Sequence, residues 1–169
     1  MNKKTSVCLT GHRPKSLPWG YNEKLPNCKA FKKDLKELFS EAINYGFKIF
    51  YTGMAEGFDM IGTEILIKLR KFFKEIKIVA VIPCENQPQK WSKKQQKRYK
   101  TILKKCNEKI VISNQYTPTC MMERNKFLVN NSSLVIACFN GNASGTGKTI
   151  KYAKEKGLKI KIITPTNYQ

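Results

Sequence analysis

Histidine is nearly absent from this 169-residue sequence, in which His12 stands alone, and the six cysteines (Cys8, Cys28, Cys84, Cys106, Cys120, Cys138) are scattered with no close pair. That pattern excludes the clustered ligand sets of His/Cys zinc sites, so no metal is expected. A chain of this length folds without covalent staples, and the cysteines read as reduced thiols. No apolar run approaches the roughly 18 to 20 residues of a membrane span, so no membrane partner is expected. The start, Met1-Asn2-Lys3-Lys4 followed by Thr5 to Thr10, lacks a full signal-peptide core and cleavage site. The expected location is therefore cytoplasmic.

Acidic residues are also scarce, with 12 Asp and Glu against 32 Lys and Arg, a formal net charge of +20. Only four of the basic residues are arginine (Arg13, Arg70, Arg98, Arg124) and only two acids are aspartate (Asp34, Asp59). Phosphate and base readout leans on the planar guanidinium fork, so a lysine excess spread over every helix reads first as solvated surface. One stretch is denser: Lys90 to Lys105 carries eight positive residues and no acid. It suits either a nucleic-acid face or a rim that draws anions toward a pocket. With 41% hydrophobic and 11% aromatic residues, the chain is too apolar for a disordered tail. Its length suits one domain over residues 1–169.

Short apolar runs rich in β-branched residues alternate with longer amphipathic segments from end to end, which is the rhythm of an α/β fold. The expected strands are Ser6 to Leu9, Lys48 to Thr52, Lys77 to Ile82, Lys109 to Ile112, Leu134 to Phe139 and Lys159 to Ile163. The expected helices are Cys28 to Tyr45, Gly57 to Phe73, Lys90 to Cys106, Thr119 to Asn130 and Gly147 to Lys156. In the first of these, Phe31, Leu35, Leu38, Phe39, Ala42 and Ile43 form one stripe, and Gly46 supplies a stop. The nearly all-apolar Leu134 to Phe139 suits a parallel sheet covered on both faces. The architecture expected is a Rossmann-like, doubly wound, mainly parallel sheet with helices on both sides. Ligands of such sheets bind at the carboxyl ends of the strands.

Those strand ends carry the unusual residues. After the first strand come Gly11, His12 and Arg13, then Trp19 and Tyr21: a permissive turn, a fork for phosphate or carboxylate, and flat faces for a base or ribose. After the second, Gly53, Met54, Glu56, Gly57 and Asp59 place two glycines and two carboxylates where a helix begins. The third strand leads through Glu85 to Trp91 and Arg98, two turns apart on one helical stripe. Arg124 and Asn125 fall near the start of the next helix. The last loop, Asn140-Gly141-Asn142-Ala143-Ser144-Gly145-Thr146-Gly147-Lys148-Thr149, ends in Gly-Lys-Thr but is not a P-loop, since the required glycine five residues before Gly147 is Asn142. What survives is a glycine- and hydroxyl-rich turn suited to holding phosphate through amides, Ser144 and Thr146.

Together these stretches resemble the SLOG superfamily and, within it, the YpsA-like proteins of bacteria and their mobile elements. The residues that carry the resemblance are Gly11-His12-Arg13-Pro14 with Leu17-Pro18-Trp19-Gly20-Tyr21, Gly53-Met54-Ala55 with Gly57-Phe58-Asp59, Val81 to Gln87, Arg124-Asn125 and Ser144-Gly145-Thr146. The resemblance implies a Rossmann-like domain whose strand-end loops bind a nucleotide or nucleotide-derived ligand. Relatives in the superfamily include cytokinin-activating phosphoribohydrolases, the DNA-processing protein DprA, and sensor domains for ADP-ribose-type signals in antiphage systems. The phosphoribohydrolases carry a glutamate three residues after the loop threonine, and here Thr149 holds that place. N-glycosidic cleavage wants a carboxylate at the sugar, for which Glu56, Asp59 and Glu85 are the candidates.

Three functions follow in order. The first is binding of a phosphorylated nucleotide signal, ADP-ribose-like or a cyclic nucleotide, as sensor or sequestering sponge, in bacterial or phage defence or counter-defence. The second is a nucleoside-monophosphate phosphoribohydrolase. The third is single-stranded nucleic-acid binding in the manner of DprA, through the Lys90 to Lys105 face. The expected ligand set is Gly11, His12, Arg13, Trp19, Tyr21, Gly53, Met54, Glu56, Gly57, Asp59, Glu85, Trp91, Arg98, Arg124, Asn125, Asn140, Gly141, Ser144, Gly145, Thr146 and Thr149. No cofactor is expected, and a homo-oligomer is expected by analogy with the family.

Overall fold

A computed structural model describes residues 1–169. The β-branched runs form six strands: β1 (Ser6–Gly11), β2 (Ile49–Thr52), β3 (Lys77–Cys84), β4 (Glu108–Ser113), β5 (Leu134–Cys138) and β6 (Lys159–Ile163). All neighbouring pairs are parallel, in the order β4-β3-β2-β1-β5-β6. Parallel neighbours cannot be joined by a hairpin, so each connection crosses over through a helix. The five α-helices are α1 (Pro26–Asn44), α2 (Phe58–Leu69), α3 (Lys93–Leu103), α4 (Cys120–Asn130) and α5 (Gly145–Glu155). None is long and apolar enough to cross a membrane.

The pleat of period two sends alternate residues to opposite faces. Val7 and Leu9 enter a core with Phe31, Leu35 and Phe39 of α1 and Phe58, Ile61 and Leu66 of α2. Cys8 and Val135 enter a second core with Leu128 of α4 and Ile150 of α5. A third cluster seats Tyr99 and Ile102 of α3 on Ala80 and Ile82 of β3. Both faces of the sheet are therefore covered, which is why β5 is buried along its whole length. All six cysteines are free thiols, five of them buried.

Several boundaries differ from the sequence expectation. β1 runs two residues further, to Gly11, because Thr10 and Gly11 pair with Ala137 and Cys138. β3 continues through Pro83 to Cys84, which pairs with Ser113. α3 starts at Lys93 rather than Lys90, since the Ser92 hydroxyl caps it by accepting from the Gln95 amide. α5 starts two residues earlier than expected, at Gly145, because Ser144 caps it by accepting from the Gly147 amide. α2 stops at Leu69.

From β1 the chain winds outward through β2, β3 and β4 on one side, then returns to place β5 and β6 on the other. The winding direction reverses between β1 and β5. Loops leaving these two strands diverge there and open a crevice above their carboxyl ends.

Candidate functional site

The loop after β1 is fastened to α2 by two close approaches that only glycine permits. A Cβ on Gly11 would lie 2.4 Å from the Phe58 ring, and one on Gly57 would lie 2.5 Å from the His12 carbonyl oxygen. Gly57 also has φ of 87°, in the left-handed region. The Phe58 amide donates to the His12 carbonyl at 3.1 Å. His12 then reaches the other side of the crevice: its Nε2 accepts from the Asn140 amide at 3.0 Å, and its own amide donates to the Cys138 carbonyl. Burial lowers the imidazole pKa, and a ring whose Nε2 accepts carries its proton on Nδ1. His12 thus ties the loops after β1 and β5 together.

Beneath that tie lies a buried pair of opposite charges. Asp59, 5% exposed in the first turn of α2, accepts from the Ala55 amide at 3.2 Å through Oδ2. Arg124 of α4, also 5% exposed, donates from Nη1 to the Gly53 carbonyl at 2.5 Å and from Nε to Asn125 Oδ1 at 2.8 Å. A side chain at Gly53 would collide with both, its Cβ lying 2.1 Å from Arg124 Nη1 and 2.9 Å from Asp59 Oδ2. Burial raises the Asp59 pKa against the opposing pull of Arg124, and burial lowers that of Arg124 against the support of Asp59. Desolvation exceeds mutual attraction for each partner. Arg124 Nη2 and Asp59 Oδ1 have no hydrogen-bond partner in the chain.

Above the pair is a cavity of about 520 Å³, within the range of small-molecule sites. Gly11, His12, Arg13, Lys15, Ser16 and Asp59 line one side of it, and Arg124, Asn125, Ser144, Gly145 and Thr146 another. Half-buried Arg13 forms no ion pair and its guanidinium donates no hydrogen bond within the chain. The amides of Gly145 and Thr146 open α5 and so have no intrahelical acceptor. A guanidinium, a lysine and a helix amino terminus therefore converge on one polar volume. That combination attracts an anion.

Arg13 and Met121 also border a second compartment of about 380 Å³, lined by Pro83, Cys84, Asn86, Gln87, Gln89, Lys90, Trp91 and Tyr116. Trp91 is held there edge-on against Tyr99, with ring centroids 5.4 Å apart and an interplanar angle of 86°. Gln87 Nε2 donates to the Gly53 and Met54 carbonyls at 3.3 and 3.4 Å, which links this compartment to the loop under the first.

The remaining expected residues lie elsewhere. Trp19 is 3% exposed and packs on Phe31 at 4.8 Å, so it belongs to the core and offers no face to a ligand. Arg98 is directed away from the crevice into Glu23 and Glu64, with Nη1 to Glu23 Oε2 at 2.5 Å and Nε to Glu64 Oε1 at 2.7 Å. Tyr21 donates to Glu56 at 2.9 Å beside the mouth, and neither lines either compartment. Glu85 is exposed and pairs with Lys109 at 3.0 Å. Gly53, Met54 and Gly57 support the floor; fully buried Met54 has φ of 55°, a conformation uncommon outside glycine. Asn140 closes a turn by accepting from the Asn142 amide, Gly141 is exposed with φ of 90°, and the Thr149 hydroxyl donates to the Gly145 carbonyl. Sequence reasoning missed Lys15, Ser16, Gln87 and Tyr116. For the first two, the available signal was Pro14, which starts a 3-10 turn and points the following residues back over the crevice.

The YpsA family model, described as the YspA SLOG family, matches residues 7–168. The chain is 28% identical over 136 residues to the uncharacterized SPbeta prophage-derived protein YoqJ of Bacillus subtilis, covering 73% of this chain and 78% of that one. It is 23% identical over 150 residues to a UPF0398 protein of Lysinibacillus sphaericus, covering 88% and 83% of the two chains. Among solved structures, DNA processing protein A (DprA) of Streptococcus pneumoniae superposes with a TM-score of 0.63 at 17% identity, over 95% of this chain and 50% of that one. DprA of Helicobacter pylori, solved for its single-stranded DNA binding mode, gives 0.63 at 15% identity, over 98% and 71%. These two share the fold, and the present chain spans half the length of the first. With a family match running from β1 to the final turn, the chain belongs to the YpsA family of SLOG proteins.

Proposed function

We propose that this protein binds a nucleotide-derived small molecule, of the ADP-ribose or cyclic-nucleotide type, in the crevice between β1 and β5, and acts as a sensor or sequestering protein. The observation that carries this reading is the unpaired Arg13 facing the same cavity as the open amides of Gly145 and Thr146. A guanidinium with no internal partner beside a helix amino terminus supports a phosphate ligand. Asp59 and Arg124 add one free acceptor and one free donor at the floor, a pattern suited to sugar hydroxyls. Their position deep in the fold favours holding over turnover. Asp59 is the cavity's one lining carboxylate, and the glutamate's place in the hydrolase relatives is filled by Thr149, whose hydroxyl is committed to Gly145.

The test is a thermal-shift panel of nucleotides, ADP-ribose and cyclic dinucleotides. Stabilisation by at least one of them is expected, lost in Arg13→Ala. No shift across the panel would overturn the reading. Base release from nucleoside monophosphates is expected to be undetectable, and a rate abolished by Asp59→Asn would install the hydrolase instead.

A second reading, single-stranded DNA binding, has one observation in its favour besides the DprA likeness. Lys93, Lys97 and Lys100 of α3, with Lys104 capping its carboxyl end, border one shallow depression with no apolar lining. Sequence-tolerant strand binding needs aromatic platforms as well as charge, and this face has none. The expected electrophoretic shift of an oligonucleotide therefore vanishes as salt rises to physiological strength. Persistence at that salt would favour the DNA reading.

A further inference from the structure

The anion-attracting cavity and the second compartment meet at Arg13 and Met121, and the two differ in chemistry. The first is polar and charged. The second offers Trp91 and Tyr116 as flat surfaces, with the amides of Asn86, Gln87 and Gln89 around them and no acid. Aromatic planes beside amide donors and acceptors match a nucleobase, which presents a π-face and a hydrogen-bonding edge. Phosphate or sugar alone would gain little from such surroundings. We infer that the compartment between the β3–α3 loop and Tyr116 is a nucleobase subsite, so that the ligand is a nucleotide whose base stacks there while its phosphates cross Arg13 toward α5. This rests on the proposed nucleotide-binding reading and extends it to the part of the ligand recognised.

The subsite is built before any ligand arrives. Trp91 is fixed by its edge-on packing against Tyr99, whose own ring is 3% exposed in the cluster with Met60 and Ile82. Its backbone carbonyl accepts from Gln96 Nε2 at 2.9 Å. Gln87 is held by two carbonyls of the loop that also carries the Arg124 anchor, Gly53. Tyr116, by contrast, is 65% exposed and free to settle on a base from the solvent side. With Trp91 already packed in place, only the exposed Tyr116 has to be ordered on binding.

The chain has only two tryptophans, and the other, Trp19, is buried in the core away from both compartments. Tryptophan fluorescence thus reports on Trp91. ADP-ribose is expected to quench the wild-type emission, ribose 5-phosphate to leave it unchanged, and Trp91→Phe to abolish the quench while calorimetry still shows ADP-ribose binding. Tyr116→Ala, an exposed position whose loss does not threaten folding, is expected to weaken ADP-ribose binding about tenfold and ribose 5-phosphate binding less than twofold. Equal effects of Tyr116→Ala on the two probes, or ADP-ribose binding without a Trp91-dependent quench, would overturn the subsite while leaving nucleotide binding intact. Failure of the wild type to bind either probe overturns the subsite, and absence of a shift across the whole nucleotide panel overturns the nucleotide-binding reading as well. A quench by single-stranded oligonucleotide at physiological salt, with none by ADP-ribose, reassigns the compartment to a DNA base and also overturns the proposal.

Discussion

Arg98 and Arg124 are both largely buried arginines beside carboxylates, yet one cluster is closed and the other is open. Around Arg98 every contact is answered: Nη1 and Nη2 meet Glu23, Nε and Nη2 meet Glu64, and Lys32 takes the remaining side of Glu23 at 2.7 Å. Burial works against the charge of Glu23, but hydrogen bonds from Arg98 and Lys32 overcome it, and the carboxyl pKa is lowered. Around Arg124 the outcome is reversed, with burial winning over Asp59 and a donor and an acceptor left free beneath an unpaired Arg13. A closed cluster joins the loop before α1 to α2 and α3. An open one retains unsatisfied interactions that a ligand can complete.

Breaking the closed cluster should have the largest effect on stability. Arg98→Ala strands the partly buried Glu64, leaves Glu23 with Lys32 alone, and is expected to cost about 3 kcal/mol, read by chemical denaturation, while changing ligand affinity less than twofold. Gly53→Ala attacks the floor of the open cluster by pushing a methyl group into Arg124 and Asp59. It is expected to cost roughly 2 kcal/mol and to weaken ligand binding more than tenfold, with the circular dichroism of the sheet retained.

Acid titration separates the two regions by window. His12 has a lowered pKa in the folded chain, so the unfolded chain takes up its proton first as pH falls below 6.5, and stability drops until the folded value is reached. Glu23 has a lowered carboxyl pKa, so its contribution is complete above 4.5 and disappears as pH falls through the folded value. Each of the two groups contributes a slope of up to about 1.4 kcal/mol per pH unit within its window, read in denaturation midpoints taken across pH. Asp59, whose raised pKa acts with the opposite sign above 3.8, is common to wild type and variants, so the differences between them isolate His12 and Glu23. Arg98→Ala should shrink the lower window and spare the upper. His12→Ala should remove the upper and spare the lower.

The same contrast marks what the sequence could disclose. Alternating β-branched runs and the amphipathic stripe of α1 are local signals, and they identified six strands, five helices and the parallel, doubly wound arrangement. The glycine-rich strand ends and Arg13 were legible because they sit next to a strand in the chain. Arg98 and Trp19 were misplaced because their surroundings come from afar: Glu23 is 75 residues from Arg98 along the chain, Glu64 is 34, and Trp19 is claimed by Phe31. No periodicity carries such pairings. Likewise, Gly53 and Gly57 read as anion-binding turns, whereas their close approaches to Arg124 and His12 make them spacers that let protein atoms meet; Gly11 reads as a site of close approach, and the Phe58 ring fills it.

Arg13→Ala should have the smallest effect on stability, within about 0.5 kcal/mol, because its guanidinium touches no partner in the chain. Calorimetric titration of ADP-ribose into wild type, Arg13→Ala and Arg98→Ala at physiological salt is the most direct test. Binding by the wild type and by Arg98→Ala, with none by the equally folded Arg13→Ala, is the predicted result. Unchanged affinity in Arg13→Ala would contradict the account.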